Sequence, residues 1–136
     1  MADKSLFIEI VTPQKVIFSG WGESVTVPGS KSPFQVLFNH APIVSSLDTG
    51  LVKIVSGSNI LWYAISTGFI EVHKNKVSIL VETAEEAHEI NIAVVQNELQ
   101  HYQNELKATN TPEDKDLLEQ KILLAKARLK ATEKIK

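Results

Sequence analysis

Along roughly the first eighty residues, apolar positions recur every second residue; from Thr83 onward they recur every third or fourth. Leu6, Ile8 and Ile10 share one face of a first predicted strand. Further strands are predicted at Ser24–Val27, Phe34–Phe38, Leu51–Val55, Ile60–Ser66, Phe69–Val72 and Val77–Glu82. Turn formers separate these runs: Thr12-Pro13-Gln14, Pro28-Gly29-Ser30, Asp48-Thr49-Gly50, Ser56-Gly57-Ser58-Asn59 and His73-Lys74-Asn75-Lys76. Short strands with no helical period between them predict an antiparallel sandwich or barrel. In the last run Val77, Ile79 and Val81 face one way and Ser78 and Leu80 the other, as in a sheet wetted on one side. The run Ile60–Ile65 is apolar on both faces. Either it is a central strand covered on both sides by its own domain, or one face, through Trp62 or Tyr63, docks the helices or another chain.

The second half follows different rules. Every glycine precedes Thr83, the last being Gly68, and so do four of the five prolines. Gly68 is expected to resist substitution by valine if its backbone adopts a conformation only glycine tolerates. A first helix is predicted from Thr83 to about Asn110, with Thr83-Ala84-Glu85-Glu86 in the form of a capping box. Thr111-Pro112-Glu113-Asp114 opens a second, with proline at the first helical position. Ala87, Ile90, Val94, Val95, Leu99, Tyr102 and Leu106 form one seam, and Leu118, Ile122, Ala125 and Leu129 the other. The short link between them makes the helices antiparallel neighbours. Seams this narrow do not support about fifty ordered residues alone, so the hairpin is expected to rest on the β module or on a partner, and to be mobile. The predicted organisation is a β-sandwich domain over residues 1–82 and an α-helical hairpin over 83–136.

Composition narrows the chemistry. With 136 residues the chain fits one domain, or a small domain with an appendage. The absence of cysteine excludes a disulfide framework, a thiolate metal site and a thiol nucleophile. No basic start leads into a long apolar run, so neither a signal peptide nor a membrane span is expected. A formal net charge of −2 argues against nucleic acid as the main partner. Charge is unevenly spread: the first predicted helix is acidic, and the second ends in Lys126, Arg128, Lys130, Lys134 and Lys136. That basic end has two readings, compensation of the helix dipole or docking against an acidic partner surface. The four histidines lack metal-site spacing, and no glycine-rich loop opens a helix. Ser45 and Ser46 lie near His40 and Asp48, but no Gly-x-Ser-x-Gly elbow accompanies them. The residues themselves favour a binding module over an enzyme.

Six segments, in order and spacing, resemble the epsilon subunit of the F-type proton-translocating ATP synthase over nearly the whole chain. They are Val11-Thr12-Pro13 with Phe18-Ser19-Gly20, Val25-Thr26-Val27-Pro28-Gly29, Val36-Leu37-Phe38-Asn39-His40-Ala41-Pro42, Leu47-Asp48-Thr49-Gly50, Gly68-Phe69-Ile70-Glu71-Val72, and Val77 to Ala84. The resemblance implies a flattened sandwich of about ten antiparallel strands followed by an antiparallel helical hairpin. It implies a non-catalytic rotor subunit whose sandwich binds the gamma subunit and touches the c-ring. The hairpin would lie on the sandwich or extend along gamma into the alpha/beta catalytic head and restrain ATP hydrolysis. By position, Lys31, Ser32, Phe38, Asn39 and His40 look like the c-ring contact, and Lys126, Arg128 and Lys130 the contact with the catalytic head. Where the family usually has a Gly-acidic-apolar-Gly stretch this chain has Ser32-Pro33-Phe34-Gln35, so the shared acidic contact is not carried over. Some bacterial members bind ATP through an Ile/Leu-Asp-x-x-Arg-Ala motif. Here Asn91 and Val94 replace its acid and arginine, so no ATP or other cofactor is expected. The implied location is the cytoplasmic face of a bacterial inner membrane, or the thylakoid stromal face, with membrane contact only through the complex. The alternative from another class is a β-sandwich interaction module that dimerises through its helices.

Overall fold

Alternation divides the strands between two sheets that share one interior. In the computed structural model, which describes residues 4–136, the chain forms β1 (Leu6–Val11), β2 (Val16–Gly22), β3 (Ser24–Val27), β4 (Phe34–Leu37) and β5 (Ile43–Leu47). It continues through β6 (Gly50–Ser56), β7 (Asn59–Ile65), β8 (Gly68–His73), β9 (Lys76–Val81) and β10 (Ala84–Glu86). The first sheet has the order β2-β1-β9-β8-β5 and the second β10-β7-β6-β3-β4. Residues 1–3, which begin the stretch read for a signal peptide, lie outside the described residues. The ten-stranded sandwich is as expected, with one refinement: β1 and β9 pair in parallel, and the remaining strand pairs are antiparallel.

Leu6, Ile8, Ile10, Ile70, Val77 and Ile79 of the first sheet meet Val25, Val27, Val52, Ile54, Tyr63 and Ile65 of the second, all buried. Gly68 is confined for a different reason from the one anticipated. Its φ is not positive; instead a Cβ there would lie 2.0 Å from the Leu80 carbonyl oxygen on β9.

The capping-box reading of Thr83 is overturned. Thr83 and Ser66 exchange hydrogen bonds, and Ala84–Glu86 pairs with β7, Ala84 opposite Ile65 and Glu86 opposite Tyr63. A 3₁₀ turn, Ala87–Glu89, follows, and α1 (Ile92–Ala108) begins only after Asn91, whose side chain accepts from the Val94 amide at 3.2 Å. The second helix, α2 (Pro112–Glu133), starts as anticipated, with Thr111 accepting from the Asp114 amide. Val95, Leu118, Ile122 and Ala125 are buried along the seams, whereas Val94 is 47% exposed because the helix begins later and turns it outward.

Candidate functional site

Each sheet has one inward and one outward face. On the first sheet the outward residues of adjacent strands align by register: Val11 opposite Leu80, Leu80 opposite Phe69, and Phe69 opposite Ser46. Val44 lies one diagonal step away, opposite Glu71. This apolar row is open to solvent, with Val44 70%, Phe69 58% and Leu80 50% exposed. Beside it a groove of about 670 Å³ is lined by Val11, Pro13, Ser46, Asp48, Phe69 and Leu80. Contiguous exposed apolar side chains on a soluble domain mark a docking surface.

The second sheet is covered. α2 packs on β6 and β7, and Trp62 and Ala64 face it while Tyr63 and Ile65 face the sandwich interior. The doubly apolar strand therefore satisfies both earlier readings at once: it is central, and through Trp62 it docks the helices. The fully buried residues between sheet and hairpin are mostly small, Ala64, Ala87, Ala125, Ala127 and Ala131 with Ile90 and Val95, and partly buried Leu51, Trp62, Leu99, Leu129 and Ile135 flank them. A buried methyl contributes about 0.8 kcal/mol, against ~1.5–3 kcal/mol for a large aliphatic. Per fully buried residue, this interface contributes less than the sandwich core.

Arg128 bridges it. Its Nε donates to Glu85 Oε1 of β10 at 2.7 Å and its Nη1 to Glu98 Oε2 of α1 at 3.1 Å. The guanidinium is mostly shielded from solvent, so this pair of charge-assisted bonds ties sheet, α1 and α2 together. Beside it a cavity of about 700 Å³ is lined by Phe18, Tyr63, Glu85, Glu86, Glu89 and Arg128. Burial, then the charges of Glu86 and Glu89, push the Tyr63 hydroxyl up to about 12. The other two residues of the basic trio do not join Arg128. Lys126 and Lys130 are exposed and line a separate cleft beside Trp62. From the sequence Glu85 and Glu98 read only as acids of the first predicted helix; they meet the chain's sole arginine, 43 and 30 residues away, only once α2 is docked.

The five residues expected at the c-ring fall into two groups. Lys31 and Ser32 are exposed before β4, and Phe38, Asn39 and His40 follow it, so the strand, roughly 13 Å long, separates them. Asn39, at φ 65°, donates its amide to Asn75 Oδ1 at 2.6 Å, fastening its loop to the β8–β9 turn. His40 Nδ1 donates to the Ala41 carbonyl, and Ser46 Oγ donates to Ser30 Oγ. Among the described residues His40 bonds neither serine nor Asp48, so the triad letters are not assembled, and no group of metal-ligating side chains converges.

Comparison with known proteins agrees with this architecture. Residues 5–87 match the family described as the ATP synthase delta/epsilon chain, beta-sandwich domain. The ATP synthase epsilon chain of Magnetococcus marinus is 39% identical over 127 residues, covering 93% of both chains. The cyanelle epsilon chain of Cyanophora paradoxa is 30% identical, covering 93% of this chain and 96% of its own. A chain in the Euglena gracilis mitochondrial ATP synthase, solved with OSCP, F1 and c-ring, shares the fold with TM-score 0.80 and 17% identity, over 90% of this chain and 78% of that one. With a matching sandwich and full-length relatives at this identity, the chain belongs to the epsilon-chain family of ATP synthase.

Proposed function

We propose that this protein is a non-catalytic central-stalk subunit of an F-type ATP synthase, joining the gamma subunit to the c-ring so that they turn together. The observation that carries the reading is the contiguous apolar row of exposed Leu80, Phe69 and Val44, continued by half-buried Val11, on the outward face of the first sheet. Rotation needs a rigid body with a firm grip, and a continuous core topped by an apolar face supplies both. Gamma is the occupant assigned to that face. The c-ring contact is assigned to Lys31, Ser32, Phe38, Asn39 and His40, met from two ends of β4. The protein then touches the membrane through the complex; no described helix is long and apolar enough to cross it.

The hairpin is the regulatory part of this reading. A small-residue interface held by one arginine network supports a docked state that can be left at modest cost. Once undocked, Lys126, Arg128 and Lys130 are free to meet acidic surfaces of the catalytic head and restrain hydrolysis. No ATP latch is assigned to Asn91 and Val94: Asn91 caps α1, Val94 points outward, and Arg128 is already paired. Micromolar ATP binding abolished by Arg128→Ala would overturn that.

The test compares ATP hydrolysis by the assembled catalytic head and gamma with the full chain or with a chain ended after Ile90, which keeps β10 in its sheet. Retained gamma binding with faster hydrolysis supports both roles, and retained binding at an unchanged rate supports the coupling role with a silent hairpin. Loss of gamma binding by the full chain itself, with a dimer in solution, would favour the dimerising module.

A further inference from the structure

Leu37–His40 forms a turn that closes with the His40 amide donating to the Leu37 carbonyl at 3.0 Å. Asn39 has φ 65° and Phe38 is not left-handed, so the turn is type II, which differs from type I by a flip of its central peptide. Asn39 carries the amide hydrogen of that peptide. Asn75 Oδ1 accepts it at 2.6 Å, and Asn75 Nδ2 returns a bond to Asn39 Oδ1 at 3.3 Å. A flip would point the amide away from Asn75, so this acceptor selects type II. Among the described residues, Phe38, Asn39, His40 and Ala41 make no other hydrogen bond beyond their own turn. Asn75 is itself held. With Lys74 at φ 50° and Asn75 at φ 63°, the two residues between His73 and Lys76 form the type I′ turn that β-hairpins favour. The Asn75 carbonyl accepts from the Phe7 amide of β1 at 2.9 Å, which anchors this turn to an interior strand of the first sheet.

β4 is an edge strand of the second sheet, whereas β8 and β9 belong to the first. The two ends of β4 are tied across to the first sheet in different ways. Before β4 the backbone does it: the Ser30 amide donates to the Ser46 carbonyl at 3.1 Å, and Gly29 bridges Leu47. After β4, the crossing bonds at the Leu37–His40 turn are those of one side chain, Asn75. A left-handed residue other than glycine persists only where its surroundings fix it, and Asn75 is what fixes Asn39. We propose that Asn75 is a positioning residue of the c-ring contact: it holds the turn that presents Phe38, Asn39 and His40, and ties that turn to the sheet assigned to gamma. The inference rests on the rotor reading above, in which rotation passes from the c-ring contact on β4 to gamma on the first sheet. A contact that carries load has to keep its shape, and this one has a single side chain to keep it.

The experiment titrates solubilised c-rings onto the full chain bound to gamma, and follows amide exchange of Asn39 in the free full chain by NMR. Asn75→Gly removes the side chain while keeping the left-handed backbone that its own turn needs. It is expected to bind c-rings about fivefold more weakly or worse, and to speed Asn39 exchange by a similar factor, as loss of the two bonds requires. Asn75→Asp retains an acceptor at the same place and is expected to stay within about twofold of the parent in both readings. Gamma binding and the thermal midpoint are expected to change little in either variant, which a general loss of structure would not allow. Asn75→Gly matching the parent in c-ring affinity, or Asn75→Gly and Asn75→Asp losing affinity equally, would overturn the proposal. So would weaker c-ring binding with Asn39 exchange unchanged. Failure of the parent complex itself to bind c-rings would instead overturn the rotor reading, and with it the presenting role; Asn39 exchange then still decides whether Asn75 holds the turn.

Discussion

The two outer faces of the sandwich are made by the same alternation and end in opposite states. On the second sheet, Trp62 and Ala64 are covered by α2; on the first, Phe69, Leu80 and Val44 are left bare. The difference lies in side-chain size and charge. The covered face offers small residues, a cation-flanked tryptophan and an acidic edge at Glu85, all met by α2. The bare face offers large aliphatic and aromatic groups without such partners, which suits a lasting contact.

The largest expected effect removes the frame that both faces share. Gly68→Val drives side-chain atoms into the Leu80 carbonyl, so β8 and β9 separate. Denaturant unfolding should show a loss above about 3 kcal/mol, a large part of a typical domain's stability. Next, Phe69→Thr with Leu80→Thr should leave the unfolding midpoint nearly unchanged, since both side chains are exposed and threonine suits a strand, yet weaken gamma binding by roughly tenfold or more in a titration.

A third effect reads the covered side. Tyr63 titrates near 10 when unfolded and is pushed up to about 12 in the fold, by burial first and then by Glu86 and Glu89. The folded state thus holds the proton more tightly. Its contribution is complete below pH 10 and lost as pH rises from about 10 through 12, on the order of 2 kcal/mol. Unfolding curves across that window should show Tyr63→Phe lacking this component. The smallest effect is Arg128→Ala, which should cost the hairpin about 1–2 kcal/mol of docking while sparing the sandwich. Faster amide exchange across Ala125–Ala131, with unchanged exchange in β1 and β9, would show it.

Much of this was readable in the sequence because it is local. Alternation located seven strands, and proline after threonine marked the start of α2. Three strands escaped. In Val16–Gly22 two glycines interrupt the alternation, in Ile43–Leu47 two serines weaken it, and Ala84–Glu86 has the letters of a helix start. What decides the last case is its pairing with β7, a contact some twenty residues away in sequence. The parallel β1–β9 pair and the Arg128 bridge were illegible for the same reason: each joins segments whose proximity only the finished fold creates. Period two likewise shows that Trp62 and Tyr63 point oppositely, but not which one meets the helices.

The chain's lack of cysteine allows one direct test of the proposal that gamma occupies the bare face. Single-cysteine variants Val44→Cys on the bare face and Leu123→Cys on the exposed side of α2 can be labelled with a maleimide, alone and bound to gamma with the hairpin docked. The account predicts that gamma slows labelling at position 44 by about tenfold or more, as burial in an interface core requires, and leaves position 123 unchanged. Unchanged labelling at 44 in a saturated complex, with protection at 123, would contradict it.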